Sequence, residues 1–182
     1  PSSDFLSTDI YTPHGDAVWC PITNTASSLR KVFNYSILKP QLRGVLDCLY
    51  DPRELDIYLD EGFRGKPHIG AAAILSNMDM DQGFWRSITA AINSARGGGA
   101  LNIFVAGSIF GGMGASGLPT IVRKLRRILQ DQGFSDGVRI GGALFLPYFS
   151  FPPPNANDDT DVAYAEAFLE QTQGALTYYH NI

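Results

Sequence analysis

The sequence predicts an α/β fold with a mostly parallel sheet. Residues 101–108 (LNIFVAGS) form a short, nearly continuous apolar run, as expected for a central parallel strand covered on both faces. A glycine-rich turn follows, then a helical pattern over residues 118–132 and a second apolar run over 138–146. A strand, turn, helix and strand in this order indicate a β-α-β unit, in which the two strands lie parallel.

The composition suits one compact domain and excludes several classes of protein. The chain has 182 residues, of which 45% are hydrophobic, and its formal net charge of -4 argues against electrostatic binding to nucleic acid. No apolar run approaches the roughly 18 residues that a membrane-spanning helix needs. The 2 cysteines and 3 histidines show no metal-ligand spacing, so we predict no metal site. Free cysteines suit a reducing cytoplasm.

The elements before the first strand are predicted to be mainly helical. Residues 1–25 are interpreted as an irregular N-terminal arm, and residues 26–182 as the domain itself. Two short helices are expected on either side of Pro40. Asp51 followed by Pro52 and Glu54 forms a capping pattern, which predicts a helix that runs to Glu61 and stops at Gly62.

Glycine and proline punctuate the remaining helices. A glycine-punctuated loop is expected over residues 62–70, and a helix over residues 82–96. A last helix is predicted over residues 161–179, where Tyr178 and Tyr179 are interpreted as packing or fraying residues.

The turn after the first strand is the strongest candidate site. A turn without bulky side chains lets backbone amides approach a phosphate at the positive end of a helix. Residues 112–117 read as GxGxxG, so a Rossmann protein that binds NAD is one alternative. The expected acidic residue is missing after the second strand, and neither a Gly-Lys-Ser/Thr phosphate loop nor a GxSxG elbow is present.

Residues 111–122 (GGMGASGLPTIV) resemble the signature loop of the tubulin superfamily, in the form found in the bacterial cell-division tubulin homologue. Residues 62–70 (GFRGKPHIG) resemble an earlier glycine loop of that family, and the strand at 138–146 with its Pro-Tyr-Phe end resembles the next family strand. The resemblance covers about residues 60–150. Divergent bacterial tubulin-like proteins resemble this chain most.

The resemblance implies a three-layer α/β/α, Rossmann-like domain that binds GTP or GDP, with Mg²⁺ as an optional companion. The residues expected to hold the nucleotide phosphates are Gly111, Gly112, Met113, Gly114, Ala115, Ser116 and Gly117. Those expected near the terminal phosphate are Gly62, Arg64, Gly65 and Lys66.

Several departures from the family pattern bear on this expectation. Met113 stands where the family usually has a phosphate-contacting Thr, and Ala115 also lacks a hydroxyl, although Ser116 offers one nearby. Arg64 and Lys66 add positive charge that could offset the loss.

We also expect the chain to lack parts of the family's domain. The first phosphate loop has no counterpart before residue 60, and the acidic loop that activates water would follow residue 182. Catalysis is therefore left open. Nucleotide-dependent self-assembly into a homo-oligomer or filament in the bacterial cytoplasm is one expectation, and a tubulin-like scaffold that has lost its nucleotide is the other.

Overall fold

The computed structural model describes residues 28–59, 62–63, 65–78, 83–95, 100–134, 138–147 and 168–181. The predicted N-terminal arm, Cys20 and Arg64 lie outside these ranges. The elements in chain order are α1 (Leu29–Val32), a 3-10 turn (Tyr35–Ile37), α2 (Pro40–Leu49), α3 (Pro52–Leu55), α4 (Pro67–Ser76), α5 (Gly83–Ala95), β1 (Leu101–Ser108), α6 (Gly112–Asp131), β2 (Val138–Phe145) and α7 (Phe168–His180).

The two strands pair in parallel, which confirms the predicted α/β class. Leu101 lies opposite Val138, and the register continues to Ser108 opposite Phe145. Both strands were predicted to within one residue, because their apolar β-favouring runs end in clear breakers. A complete three-layer arrangement stays a prediction.

Among the described residues, side chains cover one face of this sheet, and the expectation that β1 is covered on both faces stays a prediction. The inward face carries Leu101, Ile103 and Val105, which pack against α5 and α6. Asn102 and Phe104 are exposed on the other face, Phe104 to 70%.

Helix α3 begins as predicted but ends early. Asp51 accepts a hydrogen bond from the Arg53 amide, and Glu54 accepts one from the Asp51 amide, so both halves of the capping box are present. The helix stops at Leu55 instead of Glu61, because Leu55, Ile57 and Leu59 are all buried while the residues between them are exposed. Side chains two residues apart lie on the same face of an extended segment, but they point in different directions from a helix.

Helices α4 and α6 both begin inside segments that were expected to be loops. α4 starts at Pro67, whose fixed φ suits the first helical position. α6 starts at Gly112, so most of the predicted glycine turn forms the first two turns of a 20-residue helix, with Pro119 inside it. The predicted start near residue 118 was therefore about six residues late.

Two main clusters of buried side chains hold these elements. The first joins α1, α3 and α4 to Phe63, and the second joins α5, α6 and the inward face of the sheet. α4 also packs along α6. This contact brings the two glycine segments of the sequence, residues 62–65 and 111–117, to the same place in the fold.

Candidate functional site

A tight turn links β1 to α6 at the carboxyl end of the parallel strands. The Ser108 hydroxyl donates to the Phe110 carbonyl over 2.8 Å, and the Ile109 amide extends the sheet by donating to Phe145 over 3.0 Å. Ile109 and Phe110 are buried against α7. Gly111 then adopts φ 78° and ψ 168°, a conformation open almost only to glycine, so the chain can turn sharply into α6.

The amino end of α6 presents backbone donors. Among the described residues, no side chain caps this helix, and the amides of Gly112, Met113 and Gly114 have no hydrogen-bond acceptor. The positive end of the helix dipole adds to the potential created by these amides. Such an arrangement at the carboxyl ends of parallel strands suits an anionic ligand.

Three glycines in this region make close contacts within the protein itself. A Cβ on Gly112 would overlap Phe63, and a Cβ on Gly114 would overlap the hydroxyl and carbonyl of Ser108. A Cβ on Gly70, in α4, would lie 2.5 Å from the Gly112 carbonyl oxygen and would also overlap Ser116. These glycines therefore allow β1, α4 and α6 to approach closely. Phe63, from the first glycine segment, lies against both Gly70 and Gly112.

The side chains of the 111–117 segment divide into exposed and buried sets. Met113 is 49% exposed at the start of α6. Ser116 is buried, and its Oγ donates to the Gly112 carbonyl inside the helix. The hydroxyl that was expected to reach a phosphate is thus occupied by an internal contact. Ala115 and Gly117 are buried as well.

Lys66 is tied to a carboxylate rather than to open solvent. Its Nζ lies 3.1 Å from Glu54 Oε1, and His68 Nε2 lies 3.0 Å from the same oxygen. Burial alone raises the pKa of Glu54, but hydrogen bonds from Lys66, the Asp51 amide and His68 hold that pKa below its ordinary value. The two neighbouring glycines, Gly62 and Gly65, have positive φ.

Tyr179 is a contact of the site that the sequence interpretation did not assign. Its hydroxyl donates to the Ala115 carbonyl over 2.9 Å, and its ring packs against Ile109 and Phe110. A sequence signal for such a contact is Pro119, because proline lacks the amide that would bond the carbonyl four residues earlier. Within the described ranges there is no cluster of His, Cys, Asp and Glu able to hold a metal ion.

Comparison with known proteins gives one family. The family model described as tubulin like matches residues 49–173, which include both glycine segments, β1, α6 and β2. No curated protein and no solved structure gives a significant match. In the described part of the chain, no helix is long and apolar enough to cross a bilayer. Because the matched residues make up more than half of the sequence, the chain belongs to the tubulin-like family.

Proposed function

We propose that this tubulin-like domain binds a purine nucleotide, GTP or GDP, with its phosphates at the start of α6. The observation that carries the proposal is that the amides of Gly112, Met113 and Gly114 have no hydrogen-bond acceptor among the described residues and lie beside the carboxyl ends of β1 and β2. Backbone amides bind phosphate oxygens without needing hydroxyl side chains. The loss of the family Thr at Met113 is therefore compatible with binding.

The neighbouring 62–65 loop supports a site that extends beyond these amides. Phe63 packs directly on Gly112, so the described residues of the two glycine segments lie next to each other. In this proposal the terminal phosphate lies toward that loop, as the family resemblance implies. Mg²⁺ would be held mainly by the phosphates.

Met113 offers a clean test, because its side chain is half exposed beside the unpaired amides. A glutamate at position 113 would repel phosphate. Its negative charge would interact favourably with the positive end of the helix dipole, so the variant should keep its folding stability. We expect Met113→Glu to raise the Kd for GTP at least about tenfold, which corresponds to a loss of about 1.4 kcal/mol in binding free energy. Met113→Gln has nearly the same shape without the charge and should bind like the unaltered protein.

The measurement is a calorimetric titration of the unaltered chain and both variants with GTP, GDP, ATP and NAD. Equal loss of GTP affinity in the Glu and Gln variants, or none in either, would contradict placing the phosphates at this helix end. Binding of NAD in preference to GTP would instead favour the Rossmann alternative.

A second candidate function is a tubulin-like scaffold that binds no nucleotide. Two observations favour it: Lys66 is paired with Glu54, and the Ser116 hydroxyl is bonded inside α6. Less positive charge and fewer side-chain donors then face a phosphate than the sequence suggests. Absence of binding by all four nucleotides would support this candidate.

Self-assembly is the further part of the proposed function, and it rests on family membership. If nucleotide drives assembly, light scattering and sedimentation should show larger species with GTP than with GDP. The Met113→Glu variant should lose that difference together with nucleotide affinity.

A further inference from the structure

Pro119 leaves a gap in the hydrogen bonding of α6. In a regular helix the amide of residue 119 would donate to the carbonyl of Ala115, four residues earlier, but proline has no amide hydrogen. Ala115 is itself buried, with 7% of its surface exposed. A buried carbonyl without a donor is costly, so this one requires a partner from elsewhere in the chain.

Tyr179 supplies that partner from 64 residues away. Its hydroxyl donates to the Ala115 carbonyl over 2.9 Å, and Thr120 Oγ1 bonds the neighbouring Ser116 carbonyl over 2.6 Å. Burial, followed by the nearby Tyr178, raises the pKa of Tyr179 to about 12, so the hydroxyl remains a donor at neutral pH.

The same side chain also supports the residues before the turn. The ring of Tyr179 packs with Ala175 against Ile109 and Phe110, which lead from β1 into Gly111. One residue of α7 thus contacts both the entrance of the turn and the first turns of α6. A shift of Tyr179 would therefore disturb contacts on both sides of the turn.

We infer that Tyr179 is a positioning residue for the proposed nucleotide site, because it replaces the helix hydrogen bond that Pro119 removes and so fixes the start of α6. The effect on nucleotide affinity rests on the proposed function. The claim that Tyr179 replaces the missing helix hydrogen bond does not rest on the proposed function, because it predicts a coupling between positions 179 and 119 in the protein without ligand.

The test is a double-mutant cycle with Tyr179→Phe, Pro119→Ala and the combination. Tyr179→Phe keeps the ring and removes the donor. We expect it to lower the urea midpoint, with the folding equilibrium constant about fivefold smaller, the typical effect of one hydrogen bond, and to weaken GTP binding more than Tyr178→Phe does. Pro119→Ala restores an amide at position 119. In that background, Tyr179→Phe should have a much smaller effect on both measurements.

Tyr178→Phe is the matched control, because its hydroxyl accepts a bond from the exposed side chain of Arg123 over 3.1 Å, whereas that of Tyr179 bonds a backbone carbonyl of α6. It should leave the midpoint and GTP affinity nearly unchanged, whether or not Pro119 is present. Equal effects of Tyr179→Phe with and without Pro119 would overturn the inference, as would an affinity loss no larger than that of Tyr178→Phe. If the unaltered protein binds no GTP, the proposed function fails, and the urea coupling alone decides whether Tyr179 replaces the missing amide.

Discussion

The contact between α4 and α6 makes a quantitative prediction at Gly70. Replacing Gly70 with Ala puts a Cβ 2.5 Å from the Gly112 carbonyl oxygen and 2.7 Å from Phe63 Cδ2, besides overlapping Ser116 Oγ. Two of these neighbours are buried side chains and one is helix backbone, so the helices must separate. Overpacking of this kind costs about 1–3 kcal/mol.

The helix itself gains from the same substitution, and that gain must be subtracted. Ala is favoured over Gly in a helix interior by about 1 kcal/mol, so we expect Gly70→Ala to lower the free energy of unfolding by about 0–2 kcal/mol. Gly44→Ala is the matched control, since Gly44 also lies in a helix but a Cβ there would have nothing within 4 Å. It should raise the free energy of unfolding by about 0.5–1 kcal/mol.

Urea unfolding followed by circular dichroism measures both variants under the same conditions. The reasoning is refuted if Gly70→Ala is as stable as Gly44→Ala, because the close approach of α4 to α6 would then be absent in solution. A loss of GTP affinity in Gly70→Ala alone would further link this contact to the proposed site.

Two further predictions concern Gly111 and Glu54. Gly111→Ala meets no neighbouring atom but must adopt φ 78°, so we expect a loss of about 1–3 kcal/mol in unfolding free energy by urea titration; an unchanged value would show that the turn relaxes without strain. Glu54→Gln should lower stability at pH 7 by about 1.5 kcal/mol, the contribution of a charge-assisted hydrogen bond. The lowered pKa of Glu54 means that its stabilisation is complete above the ordinary glutamate pKa of about 4.3 and is lost as the pH falls through the folded value, so the two proteins should converge in acid. A constant stability difference between pH 7 and pH 3 would contradict this assignment.

The parts of the fold that could be predicted from the sequence are those with strong local signals. The capping box at Asp51 and Glu54 needs only residues that are close in the chain, and both strands are marked by apolar runs with clear ends. Family membership was predictable because two glycine segments occur at the spacing the family shows.

The roles of the glycine-rich segments were harder to predict, because the sequence does not distinguish a glycine in a turn from one beside a ligand or one between two packed helices. Gly112 and Gly114 were assigned to a phosphate loop, whereas the structure gives them contacts with Phe63 and Ser108 inside the protein. Those partners are distant in the chain or belong to the preceding strand, and no local pattern identifies them. Their proposed contact with phosphate stays a prediction.

Charged and polar partners were missed for the same reason. Lys66 looked like a free cation near a phosphate, but its partner Glu54 lies 12 residues earlier in the chain. Tyr179 was interpreted as a packing or fraying residue at a helix end; it does pack, but only the fold shows that its hydroxyl bonds the Ala115 carbonyl.

The close contacts of Gly70, Gly112 and Gly114 have a consequence for the way this family evolves. Each of these glycines is required by a neighbour inside the domain, so selection for folding alone will preserve it even in a lineage that no longer meets a nucleotide. Across tubulin-like sequences, the glycine pattern should therefore report that the domain is folded, and it should persist whether or not a nucleotide binds.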